Sequence, residues 1–389
     1  MNRLTRLRRD QSGMTYVFVA LSFMALLSAS MLAIDVGMLM TARSQAQNSA
    51  DAGALAGATA LVYDSYTDRS DSGPAKTSAI GAALANQVIS GTVSVNAGDV
   101  TFPNDASGEP NRVKVSVYRK ASRGNPLSTF IARYFGMPTA DIGATAVAEA
   151  SPANAMTCVK PFTIPDKWIE KQTPPYDATD TYDAYDNKGR LLANPDIYIP
   201  AYDSSGRPDP GYTGYNNISE RGTRLTIRAG TGNNISPSMY FSLAMASDTG
   251  GSDYRWNIGN CNTHVYKWGD GLVQEPGDMS GPTLQGIDDL IARDPGASWN
   301  TSTNGVSGSA YGNHSPRIFP IPLYDPVYYD SGKRTGRNAT LQTANWIGFF
   351  AEGISGKDVI GRIIPVAGIL DKTGPAPNAA LPKTIRLIQ

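Results

Sequence analysis

The chain has 389 residues, with 34 basic and 34 acidic side chains and a formal net charge of zero. That balance excludes a bulk electrostatic partner such as duplex DNA, which binds proteins through an excess of positive charge. Charged residues make up only 17% while glycine (39) and proline (26) are abundant, a composition that suits short strands and ordered loops and excludes a helical bundle.

The first predicted element is a membrane span. Arg3, Arg6, Arg8 and Arg9 precede the 21 residues Met14 to Ile34, which carry no charge. At 1.5 Å per residue they reach roughly 31 Å, the thickness of a bilayer's hydrocarbon core. The apolar core of a signal peptide is only about 7–15 residues, so the segment reads as a retained helix. Ser28, Ala29 and Ser30 keep a cleaved signal as the alternative. Four arginines before the span, against Arg43 close after it, put residues 1–13 in the cytoplasm and the rest across the membrane. Asp35 lies at the exit, where it ends the span within reach of headgroup water. At the bilayer centre it would cost about 2.5–3.5 kcal/mol.

Helix-forming residues continue through 35–61 without a proline. Leu39, Ala46, Ala50, Ala54 and Leu61 recur at helical spacing, mixed with Ser49, Gly53 and Gly57. Such a small-residue stripe permits close backbone approach, either to the protein's own sheet or to neighbouring helices. One helix of about 45 residues would extend roughly 70 Å.

Several pieces of this region carry a family resemblance: Gln11-Ser12-Gly13 ahead of the apolar run, Asp35-Val36-Gly37, Arg43, Gln45 to Gln47, and the run Ala50-Asp51-Ala52-Gly53-Ala54-Leu55-Ala56-Gly57-Ala58. In order and spacing, over residues 11–61, they resemble the N-terminal region of TadG-like Flp (tight adherence) pilus assembly proteins. The resemblance implies a single-pass protein of the bacterial inner membrane with its bulk in the periplasm. Its partners would be the lipid bilayer and other Tad/Flp assembly subunits, met through pilin-like helix packing by Asp35, Gly37, Arg43, Gln47, Ala50, Asp51, Ala54 and Gly57. Prepilins usually carry a glutamate five residues after the processed glycine. Here the fifth residue after Gly13 is Phe18, so the resemblance points to an uncleaved anchor rather than a polymerising subunit.

Residues 62–150 read as a small α+β module. A short helix is predicted over Ala82–Ile89, half-buried strands over Val93–Val95 and Val113–Tyr118, a helix over Leu127–Phe135 and a closing strand over Ile142–Glu149. Asp68-Arg69-Ser70-Asp71-Ser72 spells the opening of a metal-dependent adhesion motif, yet it follows an alanine-rich helix instead of a buried strand and reads as a solvated loop.

Residues 151–389 read as an irregular β-rich domain, with strands near 197–199, 224–228, 238–245, 318–324 and 359–366 and a helix over Gly286–Ala292. Cys158 and Cys261 are the only cysteines. An oxidising compartment would pair them around a loop near 100 residues, worth about 4.7 kcal/mol, and a reducing one would leave two thiols. The stretches Ile164 to Trp168, Glu275 to Gly286 and Gly361 to Val366 also resemble the periplasmic part of Tad proteins, more diffusely, which implies that both cysteines belong to one folded unit. Asp177, Asp180, Asp183 and Asp186 recur every third residue. Without the spacing of an EF-hand they read as a solvated acidic loop, with a calcium site as the alternative.

His264 and His314, the only histidines, stand in no zinc-protease or triad arrangement, and nucleophile-elbow and P-loop motifs are absent. The expectation is therefore a non-enzymatic, cofactor-free structural or accessory component of Flp/Tad pilus assembly that binds no nucleic acid. The rival readings are a surface or pilus-tip adhesin and, less favoured, a secreted enzyme. The expected fold class is α+β: one transmembrane helix extended into a long pilin-like helix, a small α+β module, then the β-rich domain.

Overall fold

In the computed structural model, helix α1 runs unbroken over 52 residues, Ser12–Tyr63, about 78 Å at 1.5 Å per residue. The structure describes residues 12–105, 108–186, 188–216, 219–230, 234–245, 250–334, 340–371 and 382–388. The arginine-rich segment before the span, Gln11 and Asn187 lie outside the described residues.

Helix α2, Pro74–Leu84, lies against α1. It takes in only Ala82–Leu84 of the helix predicted over Ala82–Ile89: Pro74 starts it at a first-turn position where its missing N–H costs nothing, and Gln87–Val88 is a strand instead. A short ribbon pairs Gln87–Val88 with Gly91–Thr92, and the strand predicted over Val93–Val95 is reduced to one bridge between Ser94 and Tyr118. The strands of the proximal sheet then begin with β1 (Val100–Thr101) and β2 (Arg112–Arg119). A hairpin follows, built from β3 (Leu127–Ser128) and β4 (Thr139–Ala140). Strand β5 (Ile142–Pro152) pairs antiparallel with β2, placing Val113 opposite Ala148 and Val115 opposite Ala146. The alternation Val113, Val115, Val117 puts three branched side chains on one buried face, and α1 covers that face.

The helix predicted over Leu127–Phe135 is absent. Its apolar spacing is helical, but Pro126 precedes it, Gly136 adopts a left-handed conformation and Pro138 follows. Only a single 3₁₀ turn, Ala132–Phe135, survives between β3 and β4.

The distal region contains β6 (Phe162–Pro165), β7 (Arg224–Ala229), β8 (Met239–Ser242), helix α3 (Gly251–Gly259), β9 (Gly271–Leu272) and helix α4 (Ser280–Arg293). After these come β10 (Ile318–Tyr324), helix α5 (Pro326–Arg334), β11 (Leu341–Ser355) and β12 (Asp358–Ile364). The strand order is β9-β11-β10-β6-β8-β7-β12, and β12 pairs again with β11. Six strands thus close on themselves, with β9 appended to β11. Closure depends on the 15 residues of β11, which meet β10 from Thr343 to Phe350 and β12 from Gly348 to Ser355. A closed ring leaves no free edge to template aggregation. Phe162, Ile164, Ile227, Tyr240, Phe349 and Ile363 form its buried core, and α4 adds Ile287 and Leu290.

Four of the five strands predicted here fall on β7, β8, β10 and β12, and the predicted helix lies within α4. The fifth, 197–199, is reduced to one bridge between Ile169 and Ile197.

The last strand, β13 (Lys383–Leu387), leaves the distal region and pairs antiparallel with β5, from Lys383 opposite Pro152 to Leu387 opposite Ala148. The proximal sheet is therefore β13-β5-β2-β1. Arg386 and Arg112 both reach Glu149 on the central strand, at 3.1 and 2.8 Å. Their charge holds its carboxyl below the usual range despite burial.

Candidate membrane and helix-packing interface

Helix α1 has two halves with different surroundings. In the first, Tyr16, Phe18, Leu21, Phe23, Met24 and Leu26 are all more than half exposed, and none of the most apolar 18-residue window is buried by protein. By length and composition this helix is long and apolar enough to cross a membrane, and the protein leaves its apolar surface uncovered.

In the second half Ala42, Ala46, Ala50, Ala54, Ala58 and Leu61 are buried against the protein's own sheet and α2. Of the two partners that the small-residue stripe allowed, the structure supplies the internal one. A Cβ on Gly57 would lie 2.7 Å from Val113 Cγ1 and 3.1 Å from the Ala75 carbonyl oxygen, and one on Gly53 would lie 3.0 Å from the Ala79 carbonyl. Gly57→Ala is therefore expected to cost about 1–3 kcal/mol through overpacking. Gly37→Ala, with nothing within 4 Å of its Cβ, is expected to be neutral or to stabilise by up to about 1 kcal/mol. Denaturant titration of the detergent-solubilised protein compares the two.

The other residues singled out on α1 are placed as follows. Gln47 donates to the Asp51 carboxylate (2.8 Å) and to the Thr145 carbonyl of β5 (3.2 Å), tying helix to sheet. Arg43 is exposed, and the Gly37 carbonyl accepts the Thr41 hydroxyl. Asp35 is only 3% exposed although Ile34 and Val36 beside it face outward. Its carboxylate accepts three successive backbone N–H groups, from Phe130 (2.7 Å), Ile131 (2.9 Å) and Ala132 (2.6 Å). Asp35 thus fastens the β3–β4 hairpin to the helix and caps its 3₁₀ turn.

At the far end of α1 the guanidinium of Arg221 donates to the carbonyls of Tyr63 (2.7 Å) and Asp64 (2.8 Å) and to that of Asn304 (2.7 Å). A cation on the final carbonyls of a helix satisfies orphan acceptors and opposes the negative end of its dipole. Arg221→Met is expected to destabilise by about 1–2 kcal/mol and to increase hydrogen exchange at residues 60–64, read by mass spectrometry.

In the distal region Cys158 and Cys261 form a disulfide with a sequence separation of 103. Asp177, Asp180, Asp183 and Asp186 do not converge. Asp177 accepts the Thr179 N–H and hydroxyl, Asp180 the Asp177 N–H, Asp183 the Thr181 hydroxyl, and Asp186 the Lys188 and Arg190 N–H groups. Among the described residues no three His, Cys, Asp or Glu side chains are placed to hold a metal ion. Asp68 likewise closes a local turn onto Ser70, and Asp71 pairs with Lys76. His264 packs edge-on to Tyr266, and His314 ends a 3₁₀ turn.

Two features of this region have no local sequence signature of the usual kind. One is Asp166, fully buried at the end of β6. Its Oδ1 accepts the N–H groups of Tyr215 (3.0 Å) and Lys167 (2.9 Å), and its Oδ2 the hydroxyls of Tyr198 (3.0 Å) and Tyr212 (2.8 Å). Glu170 and Asp196 act similarly, Glu170 toward Gln172, Thr173 and the Trp168 indole, Asp196 toward Lys171 and Asp183. Carboxylates thus take up backbone donors that a strand ladder would otherwise satisfy between β6 and β7. The other is a repeat: Ala184-Tyr185-Asp186-x-x-Gly189-Arg190 and Ala201-Tyr202-Asp203-x-x-Gly206-Arg207. Both glycines have positive φ, and each aspartate pairs with the arginine four residues on. The 17-residue offset is legible in the sequence as an internal repeat.

Residues 13–60 match the family model described as Putative Flp pilus-assembly TadE/G-like. The match begins at the span and ends within the half of α1 that packs on the sheet. No curated protein and no solved structure matches the chain.

Proposed function

We propose that this chain is a membrane-anchored, non-enzymatic accessory component of Flp/Tad pilus assembly, with the first half of α1 in the bacterial inner membrane and the folded regions in the periplasm. The observation that carries the reading is the coincidence of the TadE/G-like match with one continuous helix whose first half is apolar and uncovered. The disulfide supports an oxidising compartment, and the arginines before the span support a cytoplasmic N-terminus.

The arrangement also limits how the helix meets other subunits. Its small-residue stripe beyond Ala42 is already occupied by sheet and α2, so contacts with other assembly subunits fall to residues 14–41 and to the folded regions. Polymerisation through a bare pilin helix does not suit this geometry.

Affinity capture of the full-length protein from bacterial membranes, with mass spectrometry of its N-terminus and its companions, tests the reading. Uncleaved protein recovered together with pilus-assembly subunits is the expected result. Recovery with no such subunit would overturn the assembly role, and loss of residues 14–34 from the mature protein would overturn the anchor. Ligand binding by the distal region without assembly partners would favour an adhesin.

A further inference from the structure

Where α1 leaves the bilayer, a second element of the chain carries bare apolar side chains. The hairpin from Leu127 to Ala140 contains one charged residue, Arg133. Within eight residues of its loop Phe130 is 70% exposed, Tyr134 81%, Phe135 68% and Met137 59%. Its backbone is internally satisfied: the Thr129 N–H donates to the Pro138 carbonyl (3.1 Å), the Thr129 hydroxyl to that of Met137 (2.6 Å), and the Met137 N–H to that of Ala132 (3.0 Å). The loop is therefore a finished structure whose large side chains point outward. Three N–H groups of its tip are bound by Asp35, one residue past the end of the uncharged span. That contact fixes the loop at the level where the helix emerges from lipid. Leu32, Ile34, Val36 and Met40 of α1, on either side of Asp35 in the chain, are exposed as well.

We propose that the 129–138 loop is a second membrane contact, lying in the headgroup and upper acyl layer of the same bilayer that α1 crosses. Tyrosine and phenylalanine flanked by a single arginine are the side chains that this layer accommodates, the rings at the apolar boundary and the guanidinium reaching phosphate. A contact beside the helix prevents the folded regions from turning freely about the helix axis, because two points at different places on the surface define a fixed face. The inference rests on the membrane reading of α1, and the test separates the two.

The full-length protein is reconstituted in nanodiscs of phosphatidylcholine and phosphatidylglycerol, with lipids brominated either near the glycerol end of the acyl chain or at mid-chain. The five native tryptophans, Trp168, Trp256, Trp268, Trp299 and Trp346, all lie in the distal region. In the Phe135→Trp variant the added emission is expected to fall at least twofold with the shallow bromines and less with the mid-chain ones. In a Leu26→Trp variant the order reverses. Failure of bromine to quench the Leu26→Trp indole defeats the anchor itself. Quenching of that indole, with none at position 135, overturns the loop contact and leaves the anchor standing. Shielding of the 135 indole from acrylamide without bromine quenching likewise overturns it, by showing that protein covers the loop.

Discussion

Replacing Asp166 with alanine is expected to destabilise the distal region by roughly 3–6 kcal/mol, because it leaves buried donors without acceptors at about 1–3 kcal/mol each. Two of those donors are backbone N–H groups that cannot turn away, those of Lys167 and Tyr215. The hydroxyl of Tyr212 is also constrained, since it receives the Asn345 amide from β11. Denaturant unfolding followed by near-ultraviolet circular dichroism reads the loss directly. Asp166→Asn keeps the shape but turns an amide NH₂ toward donors, so it should lie between wild type and alanine. The pair of variants also carries a pH signature. Burial pushes the Asp166 carboxyl up to about 7, against the pull of its four donors. The folded state then holds the proton more tightly than the unfolded chain, whose value is near 3.8. This residue's stabilising contribution is full below about pH 4 and is lost as pH rises toward 7. Relative to Asp166→Asn, wild type should therefore lose stability between pH 4 and 7, and a flat difference across that window would refute the assignment.

Breaking the Cys158–Cys261 bond is the second large effect expected. With a sequence separation of 103 between the partners, chain-entropy arithmetic gives about 4.7 kcal/mol for loops near this length. The double Cys158→Ser, Cys261→Ser variant should shift the distal region's urea midpoint down accordingly. Reduction of the wild type should reproduce the shift, while leaving Gly57→Ala and wild type separated by the same amount as under oxidising conditions. That last comparison distinguishes a local staple from a general loss of folding, because Gly57 sits in the proximal module.

The helix and the local pairing were legible in the sequence for identifiable reasons. Alpha-helical residues without proline from Met14 to Leu61 specify one helix, and the alternation of Val113, Val115 and Val117 specifies a strand with one buried face. Strand β10 matches its predicted bounds, Ile318–Tyr324, because an apolar run of seven residues is flanked by breakers. What escaped depended on distant partners. Leu127, Phe130, Ile131, Tyr134 and Phe135 have textural helical spacing, but prolines, a left-handed glycine and a carboxylate 95 residues earlier in the chain settle the conformation. Closure of the six-strand ring depends on β11 meeting β12 as well as β10, and no local pattern encodes that. The acidic run 177–186 showed that carboxylates were present but not that their ligands would be the protein's own N–H groups.

The return of β13 to β5 has a consequence for the order in which the molecule can be completed. The edge of β5 that β13 covers is made well before its cover, which lies roughly 230 residues further along the chain. At about 5–20 residues per second, the roughly 230 residues between Pro152 and Lys383 take on the order of 10–50 s to make. Throughout that interval the proximal sheet exposes unpaired N–H and C=O groups beside Glu149, with Arg386 not yet present. A strand from a neighbouring chain can take the vacant place in that time, so crowding at the site of synthesis favours exchanged dimers, and a factor that shields the open edge improves the yield of monomer.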